Sequence, residues 1–241
     1  MRESEPDWED VLRAAAALQD LIPDAVVVGG TAAAIHTGHR RSLDADHVLV
    51  DMAERFDDLL AFLEERAEWG TARLRPPVLI LGNFQGVETG LRQLRRTAPL
   101  ETETRTIEAP GGPVAVRLPT LAEMLRIKAW LAVTRNATRD HLDLVALAET
   151  LRQRGGDGAV QAALAPLDAL YRDVARDAEA SPLLQLGSQL ADPRPYDLDA
   201  VDLGRYKGLT VPWRDWAAVL AAAARLAADI GDILAGADED R

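Results

Sequence analysis

The chain has 241 residues, 48% hydrophobic but only 5% aromatic, enough for one large domain or two small ones with a core of Ala, Leu and Val. A formal net charge of −12 argues against broad electrostatic association with nucleic acid. The absence of cysteine excludes a disulfide framework, a thiolate zinc site and a cysteine nucleophile.

In chain order, Trp8, Val11, Leu12, Ala15, Leu18 and Ile22 mark one face of a helix that Pro23-Asp24 ends. Residues 25–28 read as a buried strand. Gly29-Gly30 turns into a short helix over 31–37, which Gly38 stops. Residues 43–50 form the next strand, and Phe56, Leu59, Leu60 and Leu63 the next helix. Pro76-Pro77 introduces a strand over 78–81. A hairpin follows, with arms 104–109 and 114–118 around Pro110-Gly-Gly-Pro113. After Pro119 the pattern turns helical. Thr120 and Glu123 have capping-box spacing and open a helix through Val133. Asn136 or Thr138 caps the next, running to about Arg154, and Gly155-Gly-Asp-Gly158 breaks it. A third helix covers 160–178. Residues 181–212 carry Pro182, Pro193, Pro195 and Pro212 and read as irregular. Residues 213–234 form the last helix. The expected division is an α/β core over 1–118 and a helical half over 119–241. No apolar run reaches the roughly 20 residues of a membrane span, and Met1-Arg-Glu-Ser-Glu5 does not read as a signal peptide. A soluble cytoplasmic protein is expected.

The chemistry concentrates where an apolar run ends in Gly29-Gly30-Thr31 and is followed by Ser42-Leu-Asp44-Ala-Asp46. On a strand, residues i and i+2 share a face, so Asp44 and Asp46 project together. Two such carboxylates repel unless a cation lies between them, and hard divalent ions take such oxygens. Glycines allow close backbone approach, and a helix N-terminus suits a phosphate. Metal-binding carboxylates beside a phosphate cradle are the equipment of phosphoryl or nucleotidyl transfer. The plainer alternatives are two solvated aspartates on a strand and glycines in a mechanical turn.

Charge is unevenly spread. Arg126, Lys128, Arg135, Arg139, Arg152 and Arg154 crowd residues 119–154, and His39-Arg40-Arg41 and Arg92, Arg95, Arg96 form two more basic clusters. Acidic residues crowd the N-terminus, 55–68 and 238–240. Lysine occurs only at Lys128 and Lys207. On a helix Asp140 and Asp143 share one side. Asp140 alone also fits the charge preferred at a helix start. Arg135 and Arg139 are candidates for phosphate or RNA contact. A zinc site from His36, His39 and His47 is disfavoured: His36 and His39 straddle a helix end, and His47 points away from the aspartates. His39, beside Arg40-Arg41, reads as a phosphate contact and His141 as a helix-surface residue. Trp213 and Trp216 read as packing the last helix onto the body; base stacking by them, Tyr196 and Tyr206 is the alternative.

Gly29-Gly30-Thr31, Arg41-Ser42-Leu43-Asp44-Ala45-Asp46, and the later Leu125-Arg-Ile-Lys128 … Arg139-Asp140-His-Leu-Asp143-Leu144 together resemble the nucleotidyltransferases of DNA polymerase β-like fold. Within these, the chain looks most like the AbiEii/AbiGii toxins of type IV toxin–antitoxin systems. The resemblance covers roughly residues 8–150. It implies an α+β (α/β) fold: a mixed sheet with flanking helices, then an all-helical C-terminal half completing the active-site cleft. It implies Asp44 and Asp46 as Mg²⁺ ligands, two ions being expected. Gly29, Gly30, Thr31, Arg41, Ser42 and Lys128 would bind NTP, Lys128 neutralising the triphosphate. Asp140 or Asp143 would complete the catalytic set. It also implies an RNA acceptor such as a tRNA 3′ end, and a cognate antitoxin as partner. A small, aminoglycoside-like acceptor is the enzymatic alternative. Many relatives use a third carboxylate on a later strand as base; the strand at 78–86 offers only Asn83 and Gln85. Glu88, Glu101 and Glu108 are the substitutes. This gap leaves open a non-catalytic protein that binds a nucleotide or a partner.

Overall fold

A computed structural model describes residues 6–175 and 181–239. Contacts divide the chain into two compact units, Met1–Ala32 with Arg41–Thr120, and Ala33–Arg40 with Leu121–Arg241.

The first unit opens with α1 (Trp8–Leu21). Its start is closed by a reciprocal cap: Asp7 accepts from the amides of Glu9 and Asp10, and Asp10 accepts from the amide of Asp7. Val11, Leu12, Ala15 and Leu18 form its buried stripe. β1 (Val26–Val27) leads through Gly29 into α2 (Gly29–Thr37), whose last residues belong to the second unit. β2 (Asp44–Leu49), α3 (Phe56–Glu64), β3 (Trp69–Arg75), β4 (Leu79–Phe84) and β5 (Val87–Gln93) follow. These strands make one mixed sheet in the order β1-β2-β5-β4-β3, with β2 and β5 parallel and every other pair antiparallel. β6 (Thr102–Ile107) and β7 (Val114–Pro119) form a separate antiparallel hairpin. α1 packs on β2, β5 and β7. Gln19 fastens it to β7 by accepting from the Arg117 amide at 2.8 Å and donating to the Arg117 carbonyl at 2.7 Å.

The second unit holds α4 (Leu121–Arg135), α5 (Thr138–Gly155), α6 (Asp157–Leu164), α7 (Leu167–Tyr171), α8 (Pro182–Ala191) and α9 (Trp216–Glu239). α4 packs on α5, α6 and α8, and α9 on α5, α6 and α8. Gly187 of α8 lets the Ile230 side chain of α9 approach to 3.0 Å of where a Cβ would stand.

The structure differs from the sequence reading in several elements. α2 takes in both glycines. The strand expected at 78–81 is β4 and runs to Phe84, where Gln85 (φ 53°) and Gly86 (φ 86°) turn the chain into β5. β3 and β5 were not anticipated. β3 is exposed beyond Trp69 and has no apolar alternation to reveal it. The helix expected over 160–178 is broken after Leu164, because Pro166 has no amide to continue it; residues 176–178 lie outside the described residues. The irregular segment contains α8, where Ser181 caps and Pro182 takes the first turn, so a proline read as a breaker is a helix starter. α9 begins at Trp216 and runs to Glu239; Asp240 of the acidic tail lies outside the described residues.

Candidate functional site

In the first unit, β2 alternates as its composition requires. Ala45, His47 and Leu49 are buried, and Asp44, Asp46 and Val48 are half-buried on the opposite face. Asp44 and Asp46 therefore share a face. The Val28 amide donates to the Asp46 carbonyl at 2.8 Å, and the chain then turns at Gly29 (φ 71°). A Cβ on Gly29 would stand 3.5 Å from the Asp46 Cβ and 3.6 Å from its Oδ2, so the glycine turn lies against this carboxylate. Thr31 is fully buried, and its hydroxyl donates to the Asp44 carbonyl at 2.5 Å. The Ser42 hydroxyl, also buried, donates to Asp44 Oδ1 at 2.5 Å. Gly30 is half-buried and Arg41 exposed. Two hydroxyls thus hold the backbone and side chain of Asp44, while the first turn of α2 presents the amides that suit a phosphate.

β5 supplies the neighbours that sequence reasoning missed. Its parallel register sets Glu88 beside Asp44, Gly90 beside Asp46 and Arg92 beside Val48, all on the aspartate face. A Cβ on Gly90 would stand 2.3 Å from Asp46 Oδ1, so the carboxylate occupies the space that this glycine vacates. Arg92 Nε donates to the same oxygen at 3.2 Å. The signal for β5 was available: Val87, Thr89 and Leu91 alternate as its buried face. Of the three substitute carboxylates, Glu88 stands on the strand adjoining the aspartates, whereas Glu101 and Glu108 flank β6 in the separate hairpin. Asn83 accepts from the Gly86 amide at 2.9 Å, a turn contact.

On the opposite face His47 is wholly buried; Nδ1 lies 3.1 Å from the Ala45 carbonyl, and Nε2 finds no hydrogen-bond partner. Burial pushes its pKa down to about 4, the carbonyls of Ala15, Ala45 and Gly90 only partly offsetting this.

In the second unit Lys128 of α4 is buried between Asp140 and Asp143 of α5, at 3.1 and 2.7 Å. The helical spacing places both carboxylates on one side. Asp143 is the hub. Arg40 grips it through two bonds of 2.7 and 3.0 Å, and His39 Nε2 lies 2.8 Å from Oδ1. Two carboxylates thus meet two cations, with the imidazole on the remaining side. Burial alone would raise the Asp143 pKa, but Lys128, Arg40 and His39 hold it well below the usual carboxylate range. Asp140 accepts from Lys128 through Oδ1, and its buried Oδ2 has no hydrogen-bond partner. The Tyr206 ring lies 6.0 Å from the Arg40 guanidinium.

This corrects two expectations. His39 is bound to Asp143, and its side chain is only 1% exposed, which keeps it from a phosphate. His141 is buried rather than on the surface, with Nε2 2.8 Å from Asn136 Oδ1. Arg135 and Arg139 are exposed, and Tyr196 is 77% exposed while Trp213 is buried. His47 does point away from the aspartates.

Among the described residues, no group of three or more His, Cys, Asp or Glu is placed to hold a metal. Asp44 and Asp46 offer two hard oxygen donors on one face, and the cradle over Gly90 seats one of them. Mg²⁺ commonly keeps several waters and binds through one or two carboxylates plus substrate phosphates. The donor set fits that mode and does not fit an all-protein cage.

No family model matches the sequence. The heme uptake protein MmpL11 of Mycobacterium tuberculosis and the probable transport protein MmpL11 of Mycobacterium bovis are each 30% identical over 207 residues, 80% of this chain. The chain spans about a fifth of the length of these curated relatives, and among its described residues no helix is long and apolar enough to cross a membrane. An antigenic nucleotidyltransferase-like protein from Paracoccidioides brasiliensis aligns with a TM-score of 0.43 at 20% identity, over 69% of this chain and 90% of that one. MenT4, a nucleotidyltransferase toxin from Mycobacterium tuberculosis, aligns with a TM-score of 0.58 at 19% identity, over 94% of this chain and 90% of that one. The likeness to MenT4 shows the architecture: this chain has a nucleotidyltransferase-like α+β fold, a five-stranded mixed sheet with flanking helices and a helical C-terminal part.

Proposed function

We propose that the protein is a Mg²⁺-dependent nucleotidyltransferase that moves NMP from NTP to an RNA acceptor, a tRNA 3′ end being the favoured one. The observation that carries this is the shared face of Asp44 and Asp46 against the Gly29 turn. Asp44 and Asp46 would hold the metal, which when bound supplies charge neutralisation at the phosphates. The amides of Gly29 and Gly30 would take phosphate oxygens. Thr31 and Ser42 would serve the site through the bonds that orient Asp44, and exposed Arg41 would reach the nucleotide. The acceptor hydroxyl oxygen attacks the α-phosphorus, pyrophosphate leaves, and the hydroxyl proton passes to a carboxylate. Glu88 is the proposed base, on its register beside Asp44. Such transfer depends chiefly on positioning and charge. Lys128, Asp140 and Asp143 enter the reading through the family resemblance, as the second cluster on which activity depends. The likeness to MenT4, together with that resemblance, supports action as a growth-inhibiting toxin with an antitoxin partner.

Purified protein incubated with Mg²⁺, each α-labelled NTP and total tRNA tests this. Label should enter tRNA, disappear in Asp44→Ala, and fall by at least a hundredfold in Glu88→Gln. NTP binding without transfer to any acceptor would instead describe a non-catalytic nucleotide binder.

A further inference from the structure

Arg92, Arg95 and Arg96 form one basic cluster in the sequence, and the structure gives Arg92 a specific place on β5. Three observations meet at Asp46. Its register partner is Gly90, and its Oδ1 fills the volume a Cβ there would need, with 2.3 Å between them. Gly29 bounds the same carboxylate on the α2 side, where a Cβ on the glycine would stand 3.6 Å from Oδ2. Arg92, two residues beyond Gly90 and therefore on the same face, donates Nε to Oδ1 at 3.2 Å. The Arg92 side chain is 39% exposed and that of Asp46 24%, so the pair is open to solvent and the contact can exchange. Arg95, three residues along, lies beyond the strand and is exposed.

Two carboxylates on one strand face carry a repulsion that a cation relieves. Without a metal, the Arg92 guanidinium is a cation held against Asp46. An oxygen that donates a lone pair to a divalent ion cannot keep that direction for an N–H donor. We propose that Arg92 is an internal counter-cation of the Asp44–Asp46 pair: it seats Asp46 over Gly90 and competes with the divalent metal for Oδ1. Arg92 is thus a positioning residue that lowers metal affinity until phosphate oxygens arrive to receive the guanidinium. This rests on the reading of Asp44 and Asp46 as metal ligands.

The test is calorimetric titration of the full chain with Mn²⁺, without nucleotide, at pH 7.5 and low salt. Arg92→Gln should bind Mn²⁺ about five- to tenfold more tightly than the unchanged protein. Arg92→Lys, which keeps the charge and loses the Nε bond, should fall between the two. Arg95→Gln should stay within twofold, which separates the specific contact from a general change in charge. Asp46→Asn should weaken binding and abolish the gain from Arg92→Gln. Binding by the unchanged protein with no gain in Arg92→Gln, or an equal gain in Arg95→Gln, overturns this inference alone. Absence of Mn²⁺ binding in every variant overturns it together with the metal-site reading.

Discussion

At the scale of single residues, β2 separates two chemistries by one step along the chain. Asp46 belongs to a half-exposed carboxylate pair, while His47, the next residue, is sealed against α1 with its Nε2 unpartnered. An imidazole in that setting is neutral at pH 7. Its pKa falls from 6.5 to about 4 on folding, which corresponds to about 3 kcal/mol. Because the folded value lies below the unfolded one, the unfolded chain binds the proton first as pH falls. The contribution is therefore complete above pH 6.5 and is lost progressively down to about 4. Denaturant melts at pH 7 and pH 4.5 should show that loss in the unchanged protein and a clearly smaller one in His47→Gln, which cannot titrate. Equal losses in the two proteins would mean that His47 does not carry this pH dependence.

At the scale of elements, the decisive bonds are often those made far along the chain. Ala137, at the cap position before α5, has no capping side chain, so neither Asn136 nor Thr138 caps this helix as expected; the first helical amide, that of Thr138, instead donates to Asp197 Oδ1 at 2.7 Å, and the Thr138 hydroxyl to the same oxygen at 2.8 Å. Removing this borrowed cap in Asp197→Ala should cost about 1 kcal/mol and lower Tm by roughly 2–4 °C. Asp197→Asn keeps an acceptor and should retain part of the difference; a melt that does not separate the two from the unchanged protein would show that the cap contributes little. The same contrast explains what could be read in advance. α1 carries its own cap and stripe within fifteen residues, and the shared face of Asp44 and Asp46 follows from strand period alone. The Asp197 cap lies 59 residues from Thr138, and Arg40 and His39 lie 103 and 104 residues from Asp143. No local pattern encodes such partners. β5 hid for another reason: Glu88, Gly90 and Arg92 give its outer face the composition of a loop.

At the scale of the whole molecule, the chain passes from one unit to the other after Ala32, Arg40 and Thr120, so the short segment 33–40 is part of the helical unit by its contacts. Arg40 and His39 are the reason this can be stated chemically: they close the charge cluster around Asp143. That cluster and His47 respond to acid in different ranges. The Asp143 pKa is depressed, so its contribution is present above the ordinary carboxylate value of about 3.9 and is lost only as pH falls through the lower folded value. His47 acts between 6.5 and about 4. Acid should therefore weaken the β2–β5 region before it weakens α4 and α5. Hydrogen exchange, corrected for the intrinsic rate at each pH, should show protection at β2 and β5 declining from pH 6.5 to 4 while that of α4 and α5 holds. Replacing Arg40 by Met should lower the protection of α4 and α5 across this whole range, because Asp143 then loses its bidentate partner, but should not make it decline between pH 6.5 and 4, since a carboxylate whose unfolded pKa is about 3.9 loses no stability to acid above that value. Simultaneous loss of protection in both regions of the unchanged protein would mean that the two units unfold as one cooperative body and that neither buried group sets the acid response of its own surroundings.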